Sequence, residues 1–524
     1  MLRRWKMNIL EKIDYWAEEM PLRIAYKYGD DSISYQDLNK YSNCIAKWLI
    51  ENNKNKKFPV IVLGSMQPEM VTTFLGCAKA GVPYIPIDEA IPINRIKEII
   101  KDSGAKIIFF LETKGLIEDS DFKDVLLINS KDLKGMLNMC FYDVDFNYMI
   151  ENSDDFYIIY TSGSTGKPKG VKISYSSLNH FVNWGVQSFN INDNSNFLNH
   201  APFSFDLSVM SIFLSLFTGG KVLSVDEKSF YNPKLFYHYL NEENIQYWIS
   251  TPSFVEIFIQ DKRFNSNNLS SIKSFIFCGE VLTAYIVQHL LSTFSQTSIF
   301  NTYGPTEATV AVSYIQLDNN VFFERDTVPI GILSSIEDTN KNSIYIINNI
   351  GQQVKDGERG EIIIAGPSVG NGYFNNQTKT KLSFCEINNR KAFKTGDIGV
   401  IEKNFLFYLG RVDNQVKVNG YRIELEDIEN NFRKIYGVKN VVVITESNKD
   451  RINFLKAYIC IDKDRIDDVS DVNKYIFNEI GRLLPKYMIP EEIIVVDALP
   501  TSINYKIDKN RLVNEKPNKG EELT

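Results

Sequence analysis

Short apolar runs bounded by polar or turn-forming residues alternate with stretches of helical periodicity through the first 150 residues. Pro59-Val60-Ile61-Val62-Leu63-Gly64 is too short and too evenly apolar for an amphipathic helix, so it predicts a strand covered on both faces, and Pro68 to Ala80 predicts the helix that follows. Lys106 to Phe110 and Phe156 to Tyr160 repeat the strand pattern. Parallel or mixed sheets covered by helices follow from such alternation. A second α/β run spans roughly 180 to 310, with an apolar helical stretch from Leu207 to Phe217, and Ile344–Ile347 and Glu361–Ala365 open a β-rich segment with glycine-marked turns. After Gly410-Arg411-Val412-Asp413 the character changes. Val416-Lys417-Val418, Asn419-Gly420 and Tyr421-Arg422-Ile423 predict a hairpin with a type I′ turn. A helix from Leu425 to Ile435, strands at Val441–Ile444 and Phe454–Ile461, another helix and a strand at Ile493–Val496 complete the pattern. The predicted class is α/β: a large N-terminal body of α/β subdomains with a β-rich segment (residues 1–412), and a small α+β C-terminal domain (413–524) ending in a polar tail from Lys516.

Composition narrows this only slightly. A chain of 524 residues exceeds one ordinary compact domain. Its 58 basic and 65 acidic side chains give a net charge of −7 with no dominant basic cluster, which argues against a general nucleic-acid or anionic-membrane binder. No apolar run is long enough to span a bilayer, and Met1 to Lys6 is followed by a charged amphipathic stretch where a secretory signal needs an apolar core. Direct membrane insertion is therefore not expected. Six scattered cysteines and four distant histidines show no paired short spacing, so reduced thiols in the cytoplasm are expected, without structural zinc.

The candidate chemistry begins in the loop Thr161-Ser162-Gly163-Ser164-Thr165-Gly166-Lys167-Pro168-Lys169-Gly170, between a buried-type strand and a second short strand, Val171–Ile173. Glycines let backbone amides approach phosphate oxygens, hydroxyls donate hydrogen bonds, and the lysines add charge. It is not a Walker A loop, which needs Gly-Lys-Ser/Thr opening a helix; here Pro168 follows Lys167 and a strand follows the loop. Taken alone, the same composition also suits a flexible hairpin tip. Further motifs recur downstream: Asn301-Thr302-Tyr303-Gly304-Pro305-Thr306-Glu307, Lys394-Thr395-Gly396-Asp397, Gly410-Arg411-Val412-Asp413, Gly420-Tyr421-Arg422-Ile423-Glu424 and Asn504-Tyr505-Lys506-Ile507-Asp508. Together and in this order, they resemble the adenylate-forming superfamily of acyl-CoA synthetases, peptide-synthetase adenylation domains and luciferases, over essentially the whole chain.

The resemblance implies an ATP- and Mg²⁺-dependent enzyme with a mobile C-terminal domain. It assigns Thr161, Ser162, Gly163, Ser164, Thr165, Gly166 and Lys169 to the phosphates, and Asn301, Thr302, Tyr303, Gly304 and Thr306 to the nucleotide, with the Tyr303 ring on adenine. Glu307 would position the metal, and Asp397 with Arg411 nearby would take the ribose hydroxyls. Lys506 would bridge the substrate carboxylate and the α-phosphate, making Lys506, Glu307 and Thr161 the catalytic set. Tyr505 stands where relatives commonly have glycine. Asp413 would be a hinge, and Gly420, Tyr421 and Arg422 would serve a second, thioester-forming stage. Each residue has an ordinary alternative in isolation: Tyr303 in the core, Glu307 as a capping acid, Asp397 as a turn acid, Arg411 in a surface ion pair.

The acid to be activated is suggested by Ala201-Pro202-Phe203-Ser204-Phe205-Asp206-Leu207-Ser208-Val209, which resembles the pocket motif of amino-acid-activating members, with Asp206 pairing the α-ammonium. The alternative for Asp206 is an N-cap of the helix that begins at Leu207. Trp248 to Phe254, Phe277 to Leu282 and Phe300 to Val312 look like the branch that loads D-alanine onto a phosphopantetheinylated carrier protein. There Leu207, Cys278 and Val310 would line the pocket with Asp206, Cys278 acting as a steric wall, and His200 is a neighbouring position where preference could differ. The competing readings are an adenylation enzyme for another small amino acid and carrier, and an inactive nucleotide-binding scaffold, against which Glu307, Asp397 and Lys506 all stand.

Overall fold

The computed structural model describes residues 7–53, 58–111, 125–138, 150–163, 167–318, 328–332, 341–413, 415–448, 451–462, 471–496, 499–500 and 512. Two compact units emerge. The first contains residues 1–89, 103–159 and 170–412; the second gathers 90–102, 160–169 and 413–524, so two early segments group with the C-terminal stretch.

Three sheets build the first unit. In the eight-stranded sheet the strands run Ser313–Leu317, Ser298–Tyr303, Ser274–Phe277, Tyr247–Ser250, Asn196–Asn199, Lys221–Ser224, Ile24–Tyr28, Asp31–Ser34. Its six central strands are mutually parallel, and only the two edges pair antiparallel. Such strands are covered on both faces, which is why they read as continuous apolar runs. The second sheet follows the order Leu126–Asn129, Ile107–Phe110, Val60–Gly64, Tyr84–Asp88, Asp155–Thr161, Lys169–Ser174. The helix Leu207–Phe217 is buried at every position, so it is a core element rather than a surface one. The third sheet is the β-rich segment: Gly331–Ile332, Phe405–Arg411, Arg390–Glu402, Arg359–Ala365 and Ser343–Ile347, antiparallel throughout, with Phe384–Ile387 added on the third of these.

In the second unit, Gln415–Val418 and Tyr421–Glu424 form the hairpin. Asn419 and Gly420 both have positive φ (50° and 82°), as a type I′ turn requires. The helix Leu425–Phe432 ends three residues before the expected Ile435; beyond it successive three-residue turns lead to Gly437 at φ 87°. Val438–Asn448 pairs antiparallel with Arg451–Ile461, which pairs parallel with Glu492–Val495, and the helix Val472–Leu483 contributes Ile476 and Ile480 to a core with Ile428, Phe432, Val441, Val443 and Leu455. Among the described residues, no helix is long and apolar enough to cross a membrane.

The expectation of reduced thiols is corrected at one position. Among the described residues Cys77, Cys278, Cys385 and Cys460 are free, but Cys44 is disulfide-bonded.

Candidate active site

The parallel strands of the eight-stranded sheet end side by side, and the residues at or just past their carboxyl ends are Tyr303-Gly304, Cys278, Thr251 and His200. In open α/β sheets this edge is where ligands bind. The strand Ser298–Tyr303 hands over to a one-turn 3-10 helix, Thr306–Ala308, that carries Glu307. Glu307 is fully buried, and its Oε1 accepts a hydrogen bond from the Tyr373 hydroxyl at 2.8 Å. Its backbone carbonyl accepts from Gly370 N–H at 2.9 Å, and a Cβ at Gly370 would sit 2.4 Å from the Lys172 carbonyl oxygen, so that close approach needs glycine.

Tyr303 leads to the second carboxylate. Its hydroxyl donates to Asp397 Oδ2 at 2.6 Å, while Arg411 Nη1 donates to Asp397 Oδ1 at 2.5 Å, with Tyr303 and Asp397 both buried. Burial, reinforced by the Asp397 charge, holds the Tyr303 phenol well above its usual range, so it stays a donor. A carboxylate offers about four acceptor sites, and these two contacts leave room on Asp397 for diol hydroxyls. Asn301 and Thr302 use their side chains differently: Asn301 Nδ2 donates to the Pro329 carbonyl at 2.7 Å and Thr302 Oγ1 to the Phe277 carbonyl at 2.8 Å. Those two side chains fix the sheet edge.

Leu207, Cys278 and Val310, the residues expected to line an amino-acid pocket, lie in the same core cluster. Asp206 immediately precedes the buried helix, yet its backbone is helical (φ −64°, ψ −23°) and its side chain makes no capping hydrogen bond. Asp206 thus occupies the N-cap position without the capping hydrogen bond that usually defines the role. Tyr157, fully buried on the strand Asp155–Thr161, has a hydroxyl without a hydrogen-bond partner among the described residues; burial, then the Asp206 charge, raises its pKa. Cys278 is buried, with Sγ donating to the Val310 carbonyl at 3.8 Å. Thr309 and Val310 both adopt positive φ (56° and 68°), an outlier for β-branched residues. The turn is braced by Thr309 Oγ1 donating to the Ser368 carbonyl at 2.6 Å. His200 stacks on Phe254 at 4.0 Å, and its Nε2 accepts from Thr251 N–H at 3.3 Å; burial pushes its pKa down to about 3, so the ring is neutral.

In the second unit the glycine-hydroxyl loop meets the hairpin. Ser162 Oγ donates to the Arg422 carbonyl at 2.8 Å and accepts from Glu424 N–H at 3.1 Å. Gln415 links the same hairpin through Glu424 Oε1 (2.7 Å) and Arg422 Nε (2.7 Å). Burial raises the Glu424 pKa, opposed by the positive charges of Lys169 and Arg422. Thr161 Oγ1 is buried with no partner among the described residues, and a Cβ at Gly163 would lie 2.1 Å from the Lys167 carbonyl oxygen. Arg95 forms a two-pronged ion pair with Asp427 (3.3 and 2.8 Å), both buried, and Asn431 Nδ2 donates to Asp427 Oδ1 at 3.0 Å. Ser164, Thr165, Gly166, Tyr505 and Lys506 lie outside the described residues.

A family model described as AMP-binding enzyme matches residues 13–374, and another, described as AMP-binding enzyme C-terminal domain, matches 427–506. The chain belongs to the AMP-binding enzyme family. Among its relatives, a D-alanine–D-alanyl carrier protein ligase of Bacillus cereus is 38% identical over 97% of this chain and 99% of its own length, and that of Bacillus anthracis is 38% identical over the same shares. Of solved structures, the o-succinylbenzoate CoA synthetase of Bacillus subtilis superposes with a TM-score of 0.81 at 20% identity, covering 97% of this chain and 99% of that one. The Vibrio cholerae adenylation domain AlmE, in complex with glycyl-adenosine-5′-phosphate, gives 0.77 at 21% identity and 97% of each chain.

Two supports of the candidate carboxylates escaped sequence reasoning, Tyr373 on Glu307 and Thr395 on the Asp397 N–H, and so did the Arg95–Asp427 pair within the second unit. Tyr373 had a signal, since it closes the glycine-dense run Gly366-Pro367-Ser368-Val369-Gly370-Asn371-Gly372. Arg95 had none, because its partner is 332 residues away.

Proposed function

We propose that this AMP-binding enzyme uses ATP to activate D-alanine as an aminoacyl adenylate and passes the D-alanyl group to the phosphopantetheine thiol of a carrier protein, in the cytoplasm, supplying teichoic acid D-alanylation. The observation that carries the ligase reading is the pair of anchored carboxylates: Glu307 on Tyr373, and Asp397 between Tyr303 and Arg411. The choice of substrate and carrier is supported by the 38% identity over nearly the full length of the D-alanine–D-alanyl carrier protein ligases, and by an Asp206 side chain that does not cap its helix.

In the first half-reaction a carboxylate oxygen of the amino acid attacks the α-phosphorus of ATP as the bond to pyrophosphate breaks. Asp206 pairs the ammonium, a charge that would be costly to bury alone. Asp397 takes the ribose hydroxyls, and Lys506 is the residue proposed to bridge the reacting carboxylate and the phosphate, where negative charge accumulates. Among the described residues no group of three or more His, Cys, Asp or Glu side chains could hold a metal ion unaided. A single buried glutamate instead suits Mg²⁺, which takes its remaining ligands from phosphate and water; when bound, the ion neutralises charge on the triphosphate. In the second half-reaction the thiolate sulfur attacks the acyl carbon and AMP leaves. The Ser162 contacts with Arg422 and Glu424 support a role for the Gly420–Arg422 hairpin at this stage. Asp413 is the proposed hinge, supported by the last crossing between the two units falling at Val412–Asp413.

The test is amino-acid-dependent pyrophosphate exchange over D-alanine, L-alanine, glycine and D-serine, with Lys506→Ala as control. D-alanine is expected to give the fastest exchange and Lys506→Ala to abolish it. A different preferred amino acid removes the D-alanine assignment alone; no exchange with any of them removes the ligase reading.

A further inference from the structure

The strand Arg390–Glu402 does not run evenly beside Arg359–Ala365. Ile363 faces Lys394 and Glu361 faces Ile398, so Thr395, Gly396 and Asp397 bulge outward opposite the single residue Ile362. The bulge is what brings Asp397 to Tyr303 and Arg411, and it requires Gly396 at φ 73°. Its backbone groups are paired one by one. Thr395 Oγ1 donates to the Ile362 carbonyl (2.7 Å) and accepts from Asp397 N–H (2.9 Å). The Thr395 carbonyl accepts from Arg411 Nη1 (3.1 Å), and the Gly396 carbonyl from Val412 N–H (2.9 Å). A further donor of the bulge, Gly396 N–H, goes to Glu361 Oε1 at 3.0 Å. Of these partners, Glu361 is the one side chain contributed by the strand Arg359–Ala365.

We infer that Glu361 is a positioning residue that fixes the bulge presenting Asp397, and through it sets how strictly the site distinguishes ribose from deoxyribose. The inference rests on the proposed contact between Asp397 and the ribose hydroxyls. Glycine has the widest backbone freedom of any residue, so the peptide before Asp397 is the weakest point of the bulge, and an acceptor at its N–H is what holds it. Without that acceptor the amide loses its partner and Asp397 loses its fixed aim, although Tyr303 and Arg411 remain. The Glu361 side chain lines an open cavity of about 550 Å³ together with Lys394, Ile363 and Val412, while its neighbours Ile362 and Ile364 face the main core. A substitution at 361 therefore alters the open face of the sheet and leaves core packing in place.

The experiment compares ATP with 2′-deoxy-ATP and 3′-deoxy-ATP in pyrophosphate exchange, using the amino acid that exchanges fastest, for the wild type, Glu361→Leu, Glu361→Gln and Asp397→Ala. Wild type is expected to prefer ATP. Glu361→Leu should reduce that preference by about tenfold, the effect of roughly one lost hydrogen bond, through KM for ATP, with KM for the amino acid unchanged. Glu361→Gln, which keeps an acceptor oxygen, should retain the wild-type ratio. A Leu variant with the wild-type ratio overturns the inference, as does a Gln variant that loses the ratio as fully as Leu, since charge and not the acceptor would then matter. If wild type does not discriminate and Asp397→Ala leaves KM for ATP unchanged, the ribose contact itself is wrong and the inference falls with it.

Discussion

Replacing Tyr373 by phenylalanine removes one oxygen atom and leaves the ring that packs edge-on against Phe384 at 5.4 Å. What is lost is the 2.8 Å hydrogen bond to Glu307 Oε1, on a carboxylate with 0% exposure. A hydrogen bond to a charged group contributes about 1.5–3 kcal/mol, equivalent to roughly a 10- to 150-fold change in an equilibrium constant. If Glu307 positions magnesium, Tyr373 is the partner that orients it, and loss of such a partner weakens metal binding about 10- to 100-fold. The two ranges agree. Pyrophosphate exchange measured against free Mg²⁺ at saturating ATP should show the half-saturating concentration rising by about that factor, with the plateau rate largely recovered at high Mg²⁺. A folded Tyr373→Phe protein with the wild-type Mg²⁺ dependence would refute the reasoning and return Glu307 to a purely structural place in the core.

Asp206→Asn should raise KM for the amino acid by about 10²-fold or more, the consequence of burying an ammonium without its charge partner, while KM for ATP holds; equal rises in both would argue against the pocket assignment. Arg95→Ala strands a buried Asp427 carboxylate and should destabilise the protein by about 3–5 kcal/mol in urea unfolding, whereas Arg95→Met with Asp427→Leu should recover most of the loss. His200 carries a pKa depressed to about 3 in the folded state against an ordinary value near 6.5, so the unfolded chain binds the extra proton. That contribution to stability is full above about pH 6.5 and is lost as pH falls toward the folded value. His200→Gln, which keeps an acceptor for Thr251 N–H, should therefore flatten the stability profile between about pH 5 and 6.5; an unchanged slope there would show that the ring is protonated in the native state.

Much of the fold was legible in the sequence because fully covered strands and helices carry their burial in composition. The runs at Val60–Gly64 and Ile107–Phe110, and the helix Leu207–Phe217, are marked by apolar residues at nearly every position. The hairpin was legible because Asn-Gly is one of the few pairs that takes positive φ twice in succession. Helix Leu425–Phe432 was over-extended because Ile435 continues the apolar period, and periodicity alone does not register where the backbone tightens into turns. Of the site, the charged residues could be named from their motifs, but their fixing could not. Glu307 is held from 66 positions away and Gly396 from 35, through contacts that depend on which strands lie side by side. The grouping of residues 90–102 and 160–169 with the C-terminal stretch was hidden for the same reason: Arg95 and Asp427 are each ordinary charged residues until they meet.

The Thr309–Val310 turn bears on how this enzyme could change its diet. Valine at φ 68° is held in a conformation that costs a non-glycine residue about 1–3 kcal/mol, whereas glycine adopts it freely. Val310→Gly thus relaxes the backbone at the same stroke that removes the side chain proposed to wall the pocket, and it needs a single base change in the codon. The relief of strain offsets part of what the vacated volume and the freer glycine backbone cost, so adaptation to bulkier amino acids meets a lowered stability barrier at position 310, and fidelity there depends more on selection for substrate choice than at an unstrained wall.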